Sequence, residues 1–324
     1  MRIAMLEVSH WHASMYLDAV RDMPECALVA VSDKRGELAR LRAQEYGCRA
    51  YTSSEELLDE EEPDFVFIFG EHAEMVGLIS MAVDRGIPFC VEKPAGLCAS
   101  ELKPLAERVR SEGLFNAVCY VYRVTPLAEL LLRWREEGKT GRFTNCRFKY
   151  VTGPPSRYVD WRCEWMLDPE RSGGGTTINL SVHYVDLLRY LTGEEVVEAA
   201  GQFSDQVFKE KIEDHSVLLL RTSGGTIGQV ETGYTGAGCP EDRDHFELMT
   251  EEREMVFEGR EGRLRWWDRD GRRGEEVLPR VEPRAEFVRR TLKALSEGGR
   301  PPADLDDAVA VLEVLDMAGY RRKR

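Results

Sequence analysis

Three short stretches hold residues able to do chemistry. In the first, Asn179 and His183 follow three consecutive glycines, Gly173 to Gly175. Glycines leave a backbone that another segment or a planar ligand can approach closely. Thr176 or Thr177 is the expected N-cap, and Ile178, Val182, Val185 and Leu188 recur at helical spacing. Leu180, Leu187 and Leu191 add a second apolar stripe, which predicts a helix buried on much of its circumference. Asn179 and His183 project from one face of that helix, with Asp186 a turn further on. A polar file in a buried helix needs partners or a task. A single helical histidine also serves as a hydrogen-bonding group inside a core, so both readings stand.

The second stretch is Val91-Glu92-Lys93-Pro94-Ala95. Pro94 fixes its own backbone and biases Lys93 towards an extended conformation, which would hold an ammonium group at the end of a strand. The alternative is an ordinary surface lysine. The third stretch is Glu7-Val8-Ser9-His10-Trp11-His12, directly after an apolar run, where two imidazoles and a carboxylate stand within six residues.

The elements around these stretches follow from hydrophobic periodicity. Apolar runs at Arg2 to Leu6, Leu28 to Ser32, Arg49 to Tyr51, Phe65 to Phe69, Phe89 to Glu92 and Phe115 to Tyr120 read as strands. Ser14 to Asp22, Arg35 to Tyr46, Ala73 to Arg85 and Ser100 to Ser111 read as helices between them, the alternation of a parallel sheet wrapped by helices. Ligands of such a sheet sit at the carboxyl ends of its strands. All three stretches are candidates for that edge or a cleft beside it. A dinucleotide turn after the first strand reads G-x-G-x-x-G, and here Glu7, Ser9 and His12 take the three glycine positions. Asp33 ends the second strand, where a carboxylate would meet an adenosine ribose, and Lys34 and Arg35 beside it could meet a 2′-phosphate. Asp33 equally suits a helix-capping role.

Beyond Tyr120 the pattern changes. Pro126 to Glu137 is an amphipathic helix and Arg142 to Val151 a strand. The segments Val196 to Val207, Asp214 to Thr222, Thr226 to Thr232, Phe246 to Thr250, Arg253 to Glu258 and Gly262 to Trp267 alternate as in a mainly antiparallel sheet. Arg284 to Glu297 and Asp304 to Gly319 read as closing helices. The expected architecture is α/β, with a Rossmann domain over 1–120 and a substrate and oligomerisation domain over 121–324 whose C-terminal helix packs back on the first.

With 324 residues the chain can bury two cores, and a charge of −14 argues against a nucleic-acid surface. The basic tail Arg321 to Arg324 reads as a favourable complement to a helix C-terminus. The acidic run Asp59 to Glu62 reads as a solvated helix end. No apolar run is long enough to cross a membrane and the N-terminus lacks a signal-peptide core, so the expected location is cytoplasmic. Eight cysteines from Cys26 to Cys239, without a Cys-x-x-Cys pair, predict neither disulfides nor a cysteine-based zinc site.

Taken together, Val91-Glu92-Lys93-Pro94, Tyr122-Arg123, the run Trp165 to Pro169 with Ser172 to Gly175, and Asn179-Leu180-Ser181-Val182-His183 resemble the Gfo/Idh/MocA oxidoreductase family. The closing stretch Pro301 to Asp304 extends the resemblance nearly end to end. It implies an NAD- or NADP-binding Rossmann domain and an α/β domain whose open antiparallel sheet forms a homo-dimer or homo-tetramer. By position, Lys93 matches the family's Glu-Lys-Pro lysine and His183 the histidine of its Asp-x-x-x-His motif, with Asn179 in place of the aspartate. The expected cofactor contacts are Glu7, Ser9, His10, Trp11, His12, Asp33, Lys34, Arg35, Gly70, Glu92 and Lys93. The substrate side is expected from Arg123, Tyr158, Trp161, Arg162, Trp165, Asn179 and His183, with indoles on a sugar face and arginines on its oxygens. The family's threonine-proline-asparagine turn is replaced by Gly70-Glu71-His72.

The leading expectation is hydride transfer between a nicotinamide cofactor and a small sugar, cyclitol or similar polyhydroxy substrate, without a metal. Asp33 leans the cofactor towards NAD. A second reading is a relative that has lost the dinucleotide and binds a ligand. A third gathers Glu7, His10, His12 and His72 around a divalent metal for non-redox chemistry.

Overall fold

The computed structural model describes residues 1–237 and 244–320. The basic tail Arg321 to Arg324 and Cys239 lie outside the described residues. The chain divides into two compact units. The first comprises Met1–Val121, Tyr158–Gly173 and Glu282–Val309, and the second Tyr122–Arg157, Gly174–Val281 and Ala310–Arg324. A single boundary near residue 120 is therefore too simple, because the chain returns twice to the first unit.

The sheet of the first unit is wholly parallel, with strands β1 (Arg2–Leu6), β2 (Ala27–Ser32), β3 (Arg49–Tyr51), β4 (Phe65–Ile68), β5 (Phe89–Val91) and β6 (Asn116–Val118) in the order β3-β2-β1-β4-β5-β6. Helices cover both faces of such a sheet, so its strands read as continuous apolar runs: Ile3 to Leu6, Phe65 to Ile68 and Phe89 to Val91 are fully buried. The strand order reverses at β1, which places the switch point between the carboxyl ends of β1 and β4. Backbone pairing runs one residue past the strands. Phe69 N–H reaches Leu6 O at 2.9 Å and Glu92 N–H reaches Ile68 O at 2.9 Å, so Glu92 and Lys93 are held at that edge.

A helix not read from the sequence, Ser54–Glu61, is capped by Ser53, whose side chain accepts the Glu56 N–H. It ends in the acidic run, where Glu61 is buried and bonded by Tyr51 Oη at 2.8 Å while its neighbours stay in solvent.

Among the described residues the second unit holds eight strands: β7 (Phe143–Val151), β8 (Val196–Ser204), β9 (His215–Thr222), β10 (Ile227–Gly233), β11 (His245–Thr250), β12 (Arg253–Glu258), β13 (Arg263–Asp268) and β14 (Arg273–Val277). Their order is β14-β13-β12-β11-β7-β10-β9-β8, and only the β7/β10 pair is parallel. The strand β14 has no apolar alternation to betray it, since it is polar and mostly exposed.

Against β7 and β10 lies the helix Val182–Thr192, entered through a wider π turn at Thr177–Ser181. Ile178, Val182, Val185, Leu188 and Leu191 are buried as their spacing requires. The cap comes from elsewhere. Neither threonine caps this start; the Glu213 carboxylate accepts the Gly175 and Thr177 N–H groups, each at 3.0 Å, and its carbonyl accepts the Thr176 N–H at 3.2 Å. A Cβ on Gly175 would collide with that carbonyl, so this glycine serves close approach of the chain to itself.

Candidate functional site at the carboxyl edge of the parallel sheet

The turn after β1 brings His10, Trp11 and His12 over the switch point. His10 is buried and stacks on Trp11, ring centroids 3.8 Å apart and 21° from parallel. The returning segment Tyr158–Gly173 covers this turn. Trp11 meets Tyr158 at 5.1 Å, Trp161 at 6.3 Å and Trp165 at 6.0 Å, and the Cys163 thiol donates to Ser9 O at 3.2 Å. Tyr158 and Trp165 are buried by that packing, whereas Trp161 keeps 46% of its surface in solvent and Arg162 is exposed. Of the four expected substrate residues on this segment, only Trp161 and Arg162 are exposed.

Below the aromatic layer lies a compact polar cluster. His12 Nδ1 is 3.3 Å from Glu92 Oε1, and Lys93 Nζ is 3.8 Å from the same oxygen. Glu92 and Lys93 are each 1% exposed. His72, from the turn after β4, donates from Nδ1 to Ser172 O at 2.7 Å and lies edge-on to Trp165 at 4.9 Å. Three buried atoms of this cluster have no hydrogen-bond partner among the described residues: His10 Nε2, His72 Nε2 and Glu92 Oε2. Buried polar atoms are normally satisfied, so these mark a place for something the chain does not itself supply.

Burial sets the charges. It holds His10 and His12 well below the ordinary imidazole value, brings His72 to about 3, and lowers Lys93 to about 8 against the pull of Glu92. The histidines are therefore neutral at pH 7. Arg284, on the returning helix Pro283–Glu297, donates to His12 Nε2 at 3.3 Å and pairs with Glu282 at 3.0 Å. No local pattern in the sequence marks Arg284, because its contact spans 272 positions.

Glu7 departs from its expected place. It sits at φ 61, a left-handed conformation that suits glycine, and its side chain folds inward, accepting the Lys34 N–H at 3.2 Å and the Ser54 hydroxyl at 3.2 Å. It therefore joins neither a metal cluster with the histidines nor the outer surface of the turn. Burial and the neighbouring Asp33 push its carboxyl up to about 7. Between the ordinary value of 4.5 and about 7, the folded chain holds a proton that the unfolded chain has released. Stability therefore falls as pH rises through this window, by about 3 kcal/mol in all. Urea unfolding of parent and Glu7→Gln at pH 5 and pH 8 is expected to show that fall in the parent and a flatter profile in the variant.

The other expected cofactor residues are placed as follows. Asp33 is fully buried and accepts the Ser9 N–H at 2.7 Å and the Arg35 N–H at 2.8 Å. Lys34 is bridged by Glu71 and Glu74, each at 2.6 Å, and Arg35 donates to Arg162 O at 2.8 Å. At Gly70 a Cβ would meet the end of the Leu78 side chain, which would have to turn aside. A dinucleotide held at this edge would be held without a glycine-rich turn. Glu7 folds beneath Lys34, Trp161 beside Trp11 and the following Arg162 keep exposed faces, and the orphaned atoms lie at the switch point.

In the second unit, Asn179 is buried and donates to Tyr234 Oη at 3.0 Å, while His183 packs edge-on against Tyr122 at 5.4 Å. Arg123 is not a free substrate group. Its fork closes on Asp186, Nε to Oδ2 at 2.9 Å and Nη2 to Oδ1 at 2.5 Å, with its plane 4.8 Å from the Tyr190 ring. Tyr122 and Tyr184 both donate to Asp244, a polar set the sequence did not single out because its members lie up to 122 positions apart.

Comparison with known proteins places this architecture. Residues 1–120 match the family model described as an oxidoreductase family with an NAD-binding Rossmann fold, and residues 130–265 match the GFO/IDH/MocA C-terminal domain. The chain is 26% identical over 237 residues to the scyllo-inositol 2-dehydrogenase (NAD+) of Bacillus subtilis, covering 70% of this chain and 65% of that protein. It is 24% identical over 228 residues to the myo-inositol 2-dehydrogenase of Thermotoga maritima, covering 67% and 64%. The chain spans about two thirds or less of the length of these curated relatives. Among solved structures, an oxidoreductase domain protein from Kribbella flavida superposes with a TM-score of 0.87 at 18% identity, covering 98% of this chain and 96% of that one. A levoglucosan dehydrogenase in complex with NADH and levoglucosan gives 0.87 at 19% identity, covering 99% and 97%. With a parallel sheet in the order of a dinucleotide-binding fold, a lysine fixed at its carboxyl edge and both halves matched, the chain belongs to the Gfo/Idh/MocA oxidoreductase family.

Proposed function

We propose that the protein is an NAD-linked oxidoreductase of a small polyhydroxy compound of the sugar or cyclitol type. The observation that carries this reading is Lys93, buried at the switch point beside Glu92. The relatives support it, being named for inositol and sugar substrates. Trp11, Trp161, Arg162 and the turn Ser9 to His12 would hold the dinucleotide, with Asp33 and Arg35 shaping its adenosine side. NAD is favoured over NADP because Lys34 and Arg35, the cations nearest Asp33, already have partners that a 2′-phosphate would have to break.

The chemistry that a bound nicotinamide would supply is acceptance of the carbinol hydride. Lys93, lowered to about 8 by burial, would hydrogen-bond the substrate oxygen and, in its neutral form, accept the hydroxyl proton. His183, matched by position to the family histidine, is proposed as a proton-transfer group. Asn179 is an amide held by Tyr234, so it orients its surroundings without supplying the charge of the family aspartate. The aromatic layer over Glu92 and Lys93 excludes water and strengthens each electrostatic contact beneath it.

The eight-stranded sheet supports a homo-dimer or homo-tetramer. Val197, Leu219, Ile227, Met249, Trp267 and Val277, from six of its strands, are exposed. No helix among the described residues is long and apolar enough to cross a membrane, and the cytoplasm remains the proposed location.

Calorimetric titration with NADH and NADPH tests the cofactor. Micromolar binding of NADH, with NADPH weaker, is expected. Absence of binding by either sinks the oxidoreductase reading and leaves a ligand-binding relative in its place.

A further inference from the structure

We propose that His10, His12 and Glu92 form a binding site for one divalent transition-metal ion, of the zinc or cobalt type, at the carboxyl edge of the parallel sheet. Each residue offers one ligand atom, and the three atoms lie within 4.8 Å of one another. One edge of the site is already at coordination spacing. Ligands about 2.1 Å from a tetrahedral ion stand roughly 3.4 Å apart, and His12 Nδ1 and Glu92 Oε1 are at 3.3 Å. His10 supplies the third nitrogen, within 4.8 Å of the other two atoms.

Two further observations point to a missing ligand rather than a finished core. Glu92 Oε2 and His10 Nε2 are buried without a hydrogen-bond partner among the described residues, which a buried carboxylate and imidazole do not normally tolerate. His72 stands behind His10, ring centroids 6.5 Å apart, with Nδ1 donating to Ser172 O and Nε2 also without a partner. His72 is not one of the three grouped ligands and backs the cluster, held by its bond to the Ser172 carbonyl. The donor set of imidazoles and one carboxylate selects a transition metal over calcium or magnesium.

The charges around the site constrain its role. Glu92 supplies the one carboxyl group among these ligands, and Lys93 lies 3.8 Å from it, so ion and lysine compete for the same oxygen. Arg284 donates to His12 Nε2 from the other side, so the neutral ring carries its proton on Nδ1; an ion binding Nδ1 moves that proton to Nε2 and leaves the guanidinium to its Glu282 pair. Three protein ligands leave an ion an open position, the form of a catalytic rather than a closed structural site. This inference deepens the proposed function, since the ion would sit beside Lys93 and help to polarise the same substrate oxygen, and to that extent it rests on that reading.

The test uses the full chain, stripped with a chelator and titrated with Zn2+ by calorimetry and with Co2+ by visible absorption. One equivalent of Zn2+ and the d–d bands of low-coordinate Co2+ are expected. His12→Ala and the isosteric Glu92→Gln are each expected to lower the affinity by roughly 100-fold or more, and His245→Ala, outside the cluster, to leave it unchanged. Circular dichroism confirms that the variants fold, and Glu92→Gln keeps the test valid where an alanine disturbs packing. Parent binding no tighter than that of Glu92→Gln, or loss of binding on His245→Ala, overturns the site. NADH is titrated separately into stripped and loaded protein. Failure there removes the oxidoreductase reading and leaves the metal result standing, and failure of metal binding leaves the NADH result standing.

Discussion

Lys93→Met is expected to lower kcat for whichever polyol the parent oxidises by about 10²- to 10⁴-fold, the usual loss on removing a positioned acid or base. KM and the affinity for NADH are expected to change far less. Lys93 is 1% exposed and held at the β5 end beside Glu92, so its ammonium has one place to act. Methionine conserves most of the volume and the unbranched stem, which keeps the packing of the buried segment. The change therefore separates chemistry from folding. Steady-state rates, NADH calorimetry and a thermal melt on the same preparation give the three readouts. A variant that folds, binds NADH and turns over within a few-fold of the parent would remove Lys93 from the chemistry. Loss of NADH affinity in step with kcat would make it a packing residue of the dinucleotide edge.

The parts of this molecule legible in its sequence are those encoded locally. Ile3 to Leu6 and Phe65 to Ile68 are apolar throughout because both faces of a parallel sheet are covered, and the run itself announces the strand. The glycines and the leucine stripes around His183 likewise predicted a buried helix, which Val182–Thr192 is. Partners distant in sequence were not legible. Glu213 caps the helix start at Gly175 from 38 positions away, and no property of Glu213 in the sequence distinguishes it from other acidic residues. The histidines of the first turn were visible as possible ligands, but Glu7 was the nearer carboxylate in sequence and Glu92 the nearer in space. The parallel sheet sets β4 between β1 and β5, and the turn leaving β1 leans across it. Backbone conformation hid the difference: at φ 61, Glu7 turns its side chain under Lys34.

Asp186→Asn is expected to destabilise the second unit by about 3–5 kcal/mol, the cost of leaving a buried charge without its counter-ion. Arg123 is 8% exposed and Asp186 fully buried, and the two are joined by a bidentate fork with the Tyr190 ring behind the guanidinium. Asparagine keeps the shape and one acceptor but removes the negative charge. The guanidinium does not lose its own charge, since its pKa is too high. Attraction within such a pair largely offsets the desolvation of both ions, so removing one partner exposes the full cost of the other. Removing both does not. The double variant Arg123→Met, Asp186→Leu is expected to recover most of the loss, with a coupling energy of about 2 kcal/mol or more between the two positions. Thermal melts should show Asp186→Asn falling by roughly 10 °C and the double variant lying near the parent. A single variant within about 1 kcal/mol of the parent would mean that Arg123 swings to water when released. In that case Arg123 would be available to a ligand after all, and the substrate role expected of it from the sequence would return.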